Sequence, residues 1–305
     1  MGVLHIARFL LSHPLNRQAP MAALWRFTRW QLASRLLPGP SVMPFIDDAK
    51  LLMQAGMYGA TGNYYCGLHE AEEMAFFLHF LRPADHFFDI GANVGSYTIL
   101  AAAGVGCSVV AAEPIEETRR WLERNVALNE LDARVRVLGA AVGEEVGKVR
   151  LTNDKDTVNH VLPSAAPGGT SVEVPMTTLD TLRSERAPTA IKIDVEGYEY
   201  AVLRGGRATL NDPTLRAISV ETNASGERFG VSDDEVRALL RQAGFRAVRY
   251  RPLERRLLLE EGSSSEESDS LEARSSGNSL YVRDFDEAAA RVRQAPRYRL
   301  VNGEL

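Results

Sequence analysis

The sequence predicts an α/β protein built on a mostly parallel sheet with helices on both faces. Three observations predict it. From residue 84 onward, short apolar runs alternate with stretches whose apolar residues recur at helical spacing. A glycine-rich turn, Gly91-Ala92-Asn93-Val94-Gly95, joins the first of those runs to the helix after it. Acidic residues (Asp89, Glu113, Asp194, Glu221) recur where the apolar runs end. Strands covered on both faces read as continuous apolar runs, and parallel neighbours need a crossover, usually a helix.

Taken in order, the first 46 residues carry Arg8, Arg17, Arg26, Arg29 and Arg35 and no acid, and are expected to form a basic, helical N-terminal extension. Residues 47–305 are expected to form the main domain, with its core at 84–250. Arg8 interrupts the opening apolar run and no small-residue cleavage site follows, so a secretory signal is not expected. No stretch approaches the roughly 20 apolar residues of a membrane-spanning helix. Residues 21–37 place Leu24, Phe27, Trp30 and Leu37 near one helical face. Such a helix packs on the protein's own core or on a second subunit, or lies on an anionic membrane surface.

Pro38-Gly39-Pro40 ends that helix, and Gly56, Gly59, Gly62 and Gly67 punctuate short segments beyond it. Residues 70–81 read as a helix through Met74, Phe77, Leu78 and Leu81, closed by Pro83 and Asp85. Strands are then expected at 87–90, 109–112, 135–137, 190–193 and 217–220, separated by helices at 97–103, 116–131 and 200–210. Residues 148–151 and 172–175 read as an inserted β-hairpin around a polar, glycine-rich loop at 153–170. A further helix starts at Ser232, with Glu235 three residues on completing a capping box. The Ser/Glu-rich stretch 262–279 is expected as a flexible surface loop, and residues 280–282 as a strand pairing with 247–250.

Composition bounds the function. The chain has 305 residues, a net charge of −5 and 45% hydrophobic residues, which suits one large α/β domain with an appendage. Its two cysteines, Cys66 and Cys107, form no CxxC pair and cannot make a disulfide framework, so a reducing, cytoplasmic setting is expected. The acidic balance argues against a nucleic-acid partner. The His/Cys spacing of a zinc site is absent, and no metal site is assigned, although Asp194, Glu196 and Glu221 could supply hard oxygen ligands.

The chemistry centres on Phe88-Asp89-Ile90-Gly91-Ala92-Asn93-Val94-Gly95. A buried strand running into a glycine turn brings backbone close to a nucleotide-type ligand at the carboxyl ends of the strands. The GxGxxG spacing that cradles a pyrophosphate is missing. Asp89 would repel a phosphate but accept a hydrogen bond from an ammonium group. S-adenosylmethionine carries an ammonium and no phosphate, so it is the cofactor this turn favours. Glu113, followed by Pro114, ends the second strand, where an acid can bind ribose hydroxyls. In Ile191-Lys192-Ile193-Asp194-Val195-Glu196-Gly197-Tyr198-Glu199, acids cluster where a strand leaves the sheet, and Lys192 is out of place there unless its ammonium reaches an acid or the sheet edge. Glu221-Thr222-Asn223 is expected to line the same crevice.

These residues resemble the FkbM-type, S-adenosylmethionine-dependent methyltransferases. The resemblance covers residues 58–223. It rests on the glycine turn, Glu113-Pro114, Asn125 and Asn129, Ala141-Val142-Gly143, Thr178-Leu179-Asp180 and the run from Lys192 to Glu199. It implies a class I methyltransferase fold and O-methylation of a hydroxyl on a sugar, glycan or related metabolite. Residues 62–70 also look like a subgroup found with surface-glycan and exopolysaccharide genes.

The expected cofactor site is Glu70, Asp89, Gly91, Asn93, Gly95, Glu113, Pro114, Ala141 and Asp194; the candidate bases are Asp194, Glu196 and His160. The motif of nucleobase amino methyltransferases, [ND]PP[YF], is absent after the fourth strand. An NAD-dependent sugar oxidoreductase, or a non-catalytic scaffold keeping the fold, are the competing readings. The N-terminal helix is the segment expected to meet a membrane, at its inner face, or a protein partner.

Overall fold

The computed structural model describes residues 3–17, 19–37, 39–152, 161, 171–260 and 277–305. His160 and most of the 153–170 and 262–279 loops lie outside the described residues. Helices α1 (Val3–Ser12) and α2 (Pro20–Leu36) precede a small hairpin, β1 (Ser41–Pro44) and β2 (Lys50–Met53). Next come α3 (Tyr58–Cys66), α4 (Ala71–Phe80), β3 (His86–Ile90), α5 (Ser96–Ile99), β4 (Ser108–Ala112), α6 (Glu116–Leu128) and β5 (Val135–Leu138). The insertion holds β6 (Ala141–Val142), β7 (Gly147–Thr152) and β8 (Ser171–Thr177). The chain continues through α7 (Leu179–Arg183), β9 (Ala190–Ile193), α8 (Glu199–Arg204), α9 (Arg207–Leu210), β10 (Ala217–Glu221), α10 (Asp233–Gln242), β11 (Arg246–Arg251) and β12 (Arg256–Leu259). It closes with β13 (Asn278–Val282), α11 (Phe285–Arg293), β14 (Arg299–Leu300) and β15 (Gly303–Glu304).

The central sheet runs β12-β11-β13-β10-β9-β3-β4-β5. From β10 to β5 all neighbours are parallel, whereas β13 runs antiparallel to both β10 and β11. The order reverses around β3, which lies between β4 and β9, so a crevice opens at the carboxyl ends of these strands. Alternate side chains feed two apolar layers. Phe87, Val109 and Ala111 pack with Phe76, Phe77 and Leu122 on one face. Phe88, Val110, Ile191 and Ile218 pack with Leu203, Leu240 and Phe245 on the other. The expected hairpin forms as β7 against β8, the 247–250 strand pairs with β13 as expected, and Ser232 begins α10 with its backbone N–H donating to Glu235 Oε2 at 2.9 Å.

Several elements differ from expectation, each for a local reason. Residues 58–66 form a helix despite Gly59 and Gly62; at Gly62 a Cβ would sit 2.3 Å from His69 Nδ1, so packing of that ring requires the glycine within the helix. The helix expected at 97–103 narrows to α5 and then widens into π-type turns at Leu100–Val105. The helix at 116–131 stops at Leu128, and the one at 200–210 divides at Gly205-Gly206. Strand β13 begins at Asn278, inside the expected loop.

The N-terminal extension does not stand apart from the main domain. Leu10 and Trp30 share a buried cluster with Met53, Tyr64, Tyr65 and Val94, and Arg26 donates to Tyr65 O at 2.8 Å. The two asparagines of the α6 motif turn out to hold β2 in place. Asn125, fully buried, donates to Val94 O at 2.8 Å and accepts from Leu52 N at 2.7 Å; Asn129 bonds both backbone groups of Lys50. Asn125→Leu leaves two buried backbone groups unpaired and is expected to lower stability by about 2–4 kcal/mol. Urea unfolding of both proteins measures it, and an unchanged midpoint would contradict this role.

Candidate active site

The pocket at the carboxyl ends of β3, β4, β9 and β10 encloses roughly 310 Å³. Its walls combine apolar surface from Ile90, Ala112, Ile115, Ala141, Val142, Leu151 and Val161 with five carboxyl groups: Glu70, Glu113, Asp194, Glu196 and Glu221. Gly91, Asn93 and Pro114 complete the expected set that lines it, and His69 and Tyr198 join them.

Gly91 has φ +76°, and a Cβ there would lie 1.8 Å from the Asp194 carbonyl oxygen. The first turn must therefore lack a side chain for β3 and β9 to close on one another, apart from any ligand. Asn93 also holds a left-handed backbone, φ +52°, and its N–H donates to Glu113 Oε2 at 3.0 Å. Glu113 Oε1 accepts from Ile115 N at 2.9 Å. Glu113 thus braces the glycine turn against the start of α6 while presenting a carboxyl group to the pocket. Burial pushes its pKa up to about 7, against the two backbone hydrogen bonds that lower it.

Two expected cofactor residues fall elsewhere. Asp89 is fully buried and does not line the pocket: Thr98 Oγ1 donates to its Oδ2 at 2.6 Å. It lies one residue short of the strand's end, on the face opposite Ile90, beside Lys192 in register. Burial raises its pKa, with Lys192 opposing. Gly95 starts α5 and lies against Leu122, a packing position.

Lys192 is the buried charge beneath the pocket. Its Nζ lies 3.0 Å from Asp194 Oδ2, donates to Gly91 O at 3.2 Å and sits 5.2 Å from the centre of the Tyr97 ring. Burial alone would depress its pKa, but Asp194, Asp89 and Glu70 outweigh that and raise it, so it stays charged. Beyond it, the loop at 195–199 is folded by Glu199, which is buried and accepts from Val195 N at 3.0 Å and Gly197 N at 3.1 Å. This loop keeps Glu196 at φ +56°, a conformation costly for a side chain without a glycine's freedom.

Oxygens of Asp194, Glu196 and Glu221 lie within 4.8 Å of one another. Burial, reinforced by Asp194 and then Glu199, lifts Glu196 to about 7. Burial and the charges of Asp194 and Glu196 lift Glu221 well above the ordinary carboxylate range. Such a cluster must be neutralised by protons or by a cation in the pocket. The same oxygens suit a hard divalent cation.

Sequence reasoning placed Glu70 at the pocket but missed what holds it. Tyr97 Oη donates to Glu70 Oε2 at 2.5 Å, and Asn278 Nδ2 to Oε1 at 2.8 Å. His69 was also missed. Burial lowers its pKa and keeps the ring neutral near pH 7, and the only signal was its place next to Glu70.

Fold and site together define a class I methyltransferase. Residues 89–247 match the model of the methyltransferase FkbM domain, a match over half the chain. The chain belongs to the FkbM methyltransferase family. It is 29% identical over 202 residues to the 31-O-demethyl-FK506 methyltransferase FkbM of Streptomyces tacrolimicus, covering 55% of this chain and 75% of that protein. Among solved structures it is similar to an FkbM methyltransferase from Methylobacillus flagellatus, with 18% identity, a TM-score of 0.44 and coverage of 74% of this chain and 53% of the other. The chain therefore spans about half the length of that structure. An O-methyltransferase from Thermotoga maritima matches at 14% identity and a TM-score of 0.35, over 69% and 63% of the two chains.

The chain is an S-adenosylmethionine-dependent methyltransferase. Its pocket fits that donor: the apolar wall suits a base, and the carboxyl groups suit a ligand with two positive charges and no phosphate. Glu113→Ala is expected to weaken S-adenosylmethionine binding ten- to a hundred-fold by calorimetry, as losing a charged hydrogen-bond acceptor does. Unchanged affinity would remove Glu113 from the donor site. Lys192→Met leaves Asp89 and Asp194 uncompensated and is expected to cost about 3–5 kcal/mol in thermal or urea unfolding. Adding Asp89→Asn should return part of that loss; no recovery would break the link between Asp89 and Lys192.

Proposed function

We propose that this enzyme methylates a hydroxyl of a sugar, glycan or related polyhydroxylated metabolite, with Glu196 as the base. One observation carries the reading. A carboxyl group held in a strained loop at the pocket wall has its pKa lifted to about 7, where a general base works best. The relative from Streptomyces tacrolimicus is named for a 31-O position, which supports an oxygen acceptor.

Bound S-adenosylmethionine supplies an electrophilic methyl group on a sulfonium. The protein's part is alignment and proton removal. Glu113 would hold the ribose hydroxyls, and Asn93, Gly91 and Pro114 would shape the turn around the nucleoside. Asp194, fixed by Lys192 at 3.0 Å, would orient the donor's cationic end. Aligning the acceptor oxygen with the methyl carbon supplies much of the rate for a displacement with a good leaving group. A sugar hydroxyl is a weak nucleophile, and Glu196 would take its proton as the new C–O bond forms. Family membership favours methyl transfer over the oxidoreductase reading.

Release of S-adenosylhomocysteine with a panel of glycan and polyol acceptors tests the substrate class. Turnover confined to amine or carbon acceptors would contradict it. At saturating donor, kcat is expected to rise with pH as Glu196 loses its proton, on a limb that lies below 7 because the bound cation lowers the carboxyl group's pKa. Glu196→Gln should remove that limb and lower kcat about 10²–10⁴-fold while changing donor affinity little. A wild-type limb that survives in Glu196→Gln would transfer the role to another group. Chelation with EDTA is expected to leave turnover unchanged; loss restored by Mg²⁺ would assign the carboxylate cluster to a cation.

A further inference from the structure

The helix α2 is apolar on two faces, and only one of them is used by the fold. On the inner face Ala23 and Trp30 are buried, Phe27 packs on Tyr65 with ring centroids 5.4 Å apart, and Trp30 packs on Tyr64 at 6.4 Å. On the outer face Met21, Trp25, Leu32 and Leu36 are 71%, 65%, 58% and 78% exposed. At 3.6 residues per turn these four side chains fall within roughly 60° of one another. The four fall on one stripe, in two pairs with Thr28 and Arg29 between them, which separates them from the single exposed apolar residues any surface carries.

Charge decides what would cover it. Arg29 and Arg35 project from the same outer face and are exposed. Among the described residues neither makes an ion pair; Arg35 only donates to Gln31 O at 2.6 Å. Thr28, also on this face, returns its hydroxyl to Leu24 O at 2.9 Å and so offers no unmet polar demand. The first 46 residues hold five arginines and no acid, in a chain whose net charge is −5. A second copy of this chain seated on the stripe by two-fold symmetry would bring like arginines together. An anionic lipid surface instead accepts tryptophan and leucine at the boundary of headgroups and acyl chains, with arginines among the phosphates. No helix among the described residues is long and apolar enough to cross a membrane, so such contact would be peripheral.

We propose that the outer face of α2 is a membrane-docking surface, seating the enzyme on an anionic bilayer through Trp25, Leu32 and Leu36 with Arg29 and Arg35 against lipid phosphates. The proposal is independent of the acceptor. Helix α2 rests on α3, and Gly59 of α3 lines the methyl-transfer pocket, so the docking face is one helix removed from it.

Cosedimentation of the full chain with vesicles tests it, using phosphatidylcholine alone and phosphatidylcholine mixed with phosphatidylglycerol. Binding is expected to the mixed vesicles and to weaken with salt. Each arginine removed, in Arg29→Gln and Arg35→Gln, should lower partitioning about five-fold. Trp25→Ser with Leu32→Ser should abolish it, while S-adenosylmethionine affinity and the unfolding midpoint stay at wild-type values. Equal binding to neutral vesicles, or none to either, overturns the proposal. So does a dimer by light scattering that the Trp25→Ser, Leu32→Ser variant dissolves, which would give the face to a second copy.

Discussion

The active site is organised around one buried cation. Lys192, in the middle of the sheet, faces Asp89 across the β3–β9 register and Asp194 at the end of its own strand. An unpaired ammonium at such depth would be too costly to retain, and so would either acid without it. The arrangement ties together the turn after β3, through Gly91 O, and the loop after β9, through Asp194. These two segments form adjoining walls of the pocket. Their spacing depends on that ion pair, whose lysine is buried, and on a glycine that lets the Asp194 carbonyl come close.

Around that cation the protein gathers more negative charge than it neutralises. Glu113, Glu196 and Glu221 all have their pKa values raised, burial being the main cause in each. An empty pocket of this kind holds protons, and a cationic ligand displaces them. Donor recognition and base activation then have the same physical origin. The burial that prepares Glu196 to accept a proton near neutral pH also makes the pocket favour a positively charged donor.

Much of this was legible in the sequence. The strand–helix alternation, the glycine turn, Glu113 at the end of β4 and the demand that Lys192 reach an acid or the sheet edge all follow from residue type and order. Asp89 was misplaced although the expected strand already ran to residue 90: alternation along the strand puts Asp89 and Ile90 on opposite faces, and Asp89 faces the interior beside Lys192. Glu70 could not be understood locally, since its partner Asn278 lies 208 positions away. Helix α3 carries Gly62 against its propensity because the His69 ring fills the place of a side chain there, a tertiary contact that local sequence does not announce. The two apolar faces of α2 blurred its periodicity, so the inner and outer stripes separated only when burial was known.

The central claim is that buried carboxyl groups hold the pocket partly protonated until a cation enters. Calorimetric binding of S-adenosylmethionine near pH 6.5, repeated in buffers of different ionisation enthalpy, measures it directly. The account predicts a net release of protons on binding, larger than for S-adenosylhomocysteine, which lacks the sulfonium charge. Binding with no proton release, or with uptake, would contradict it.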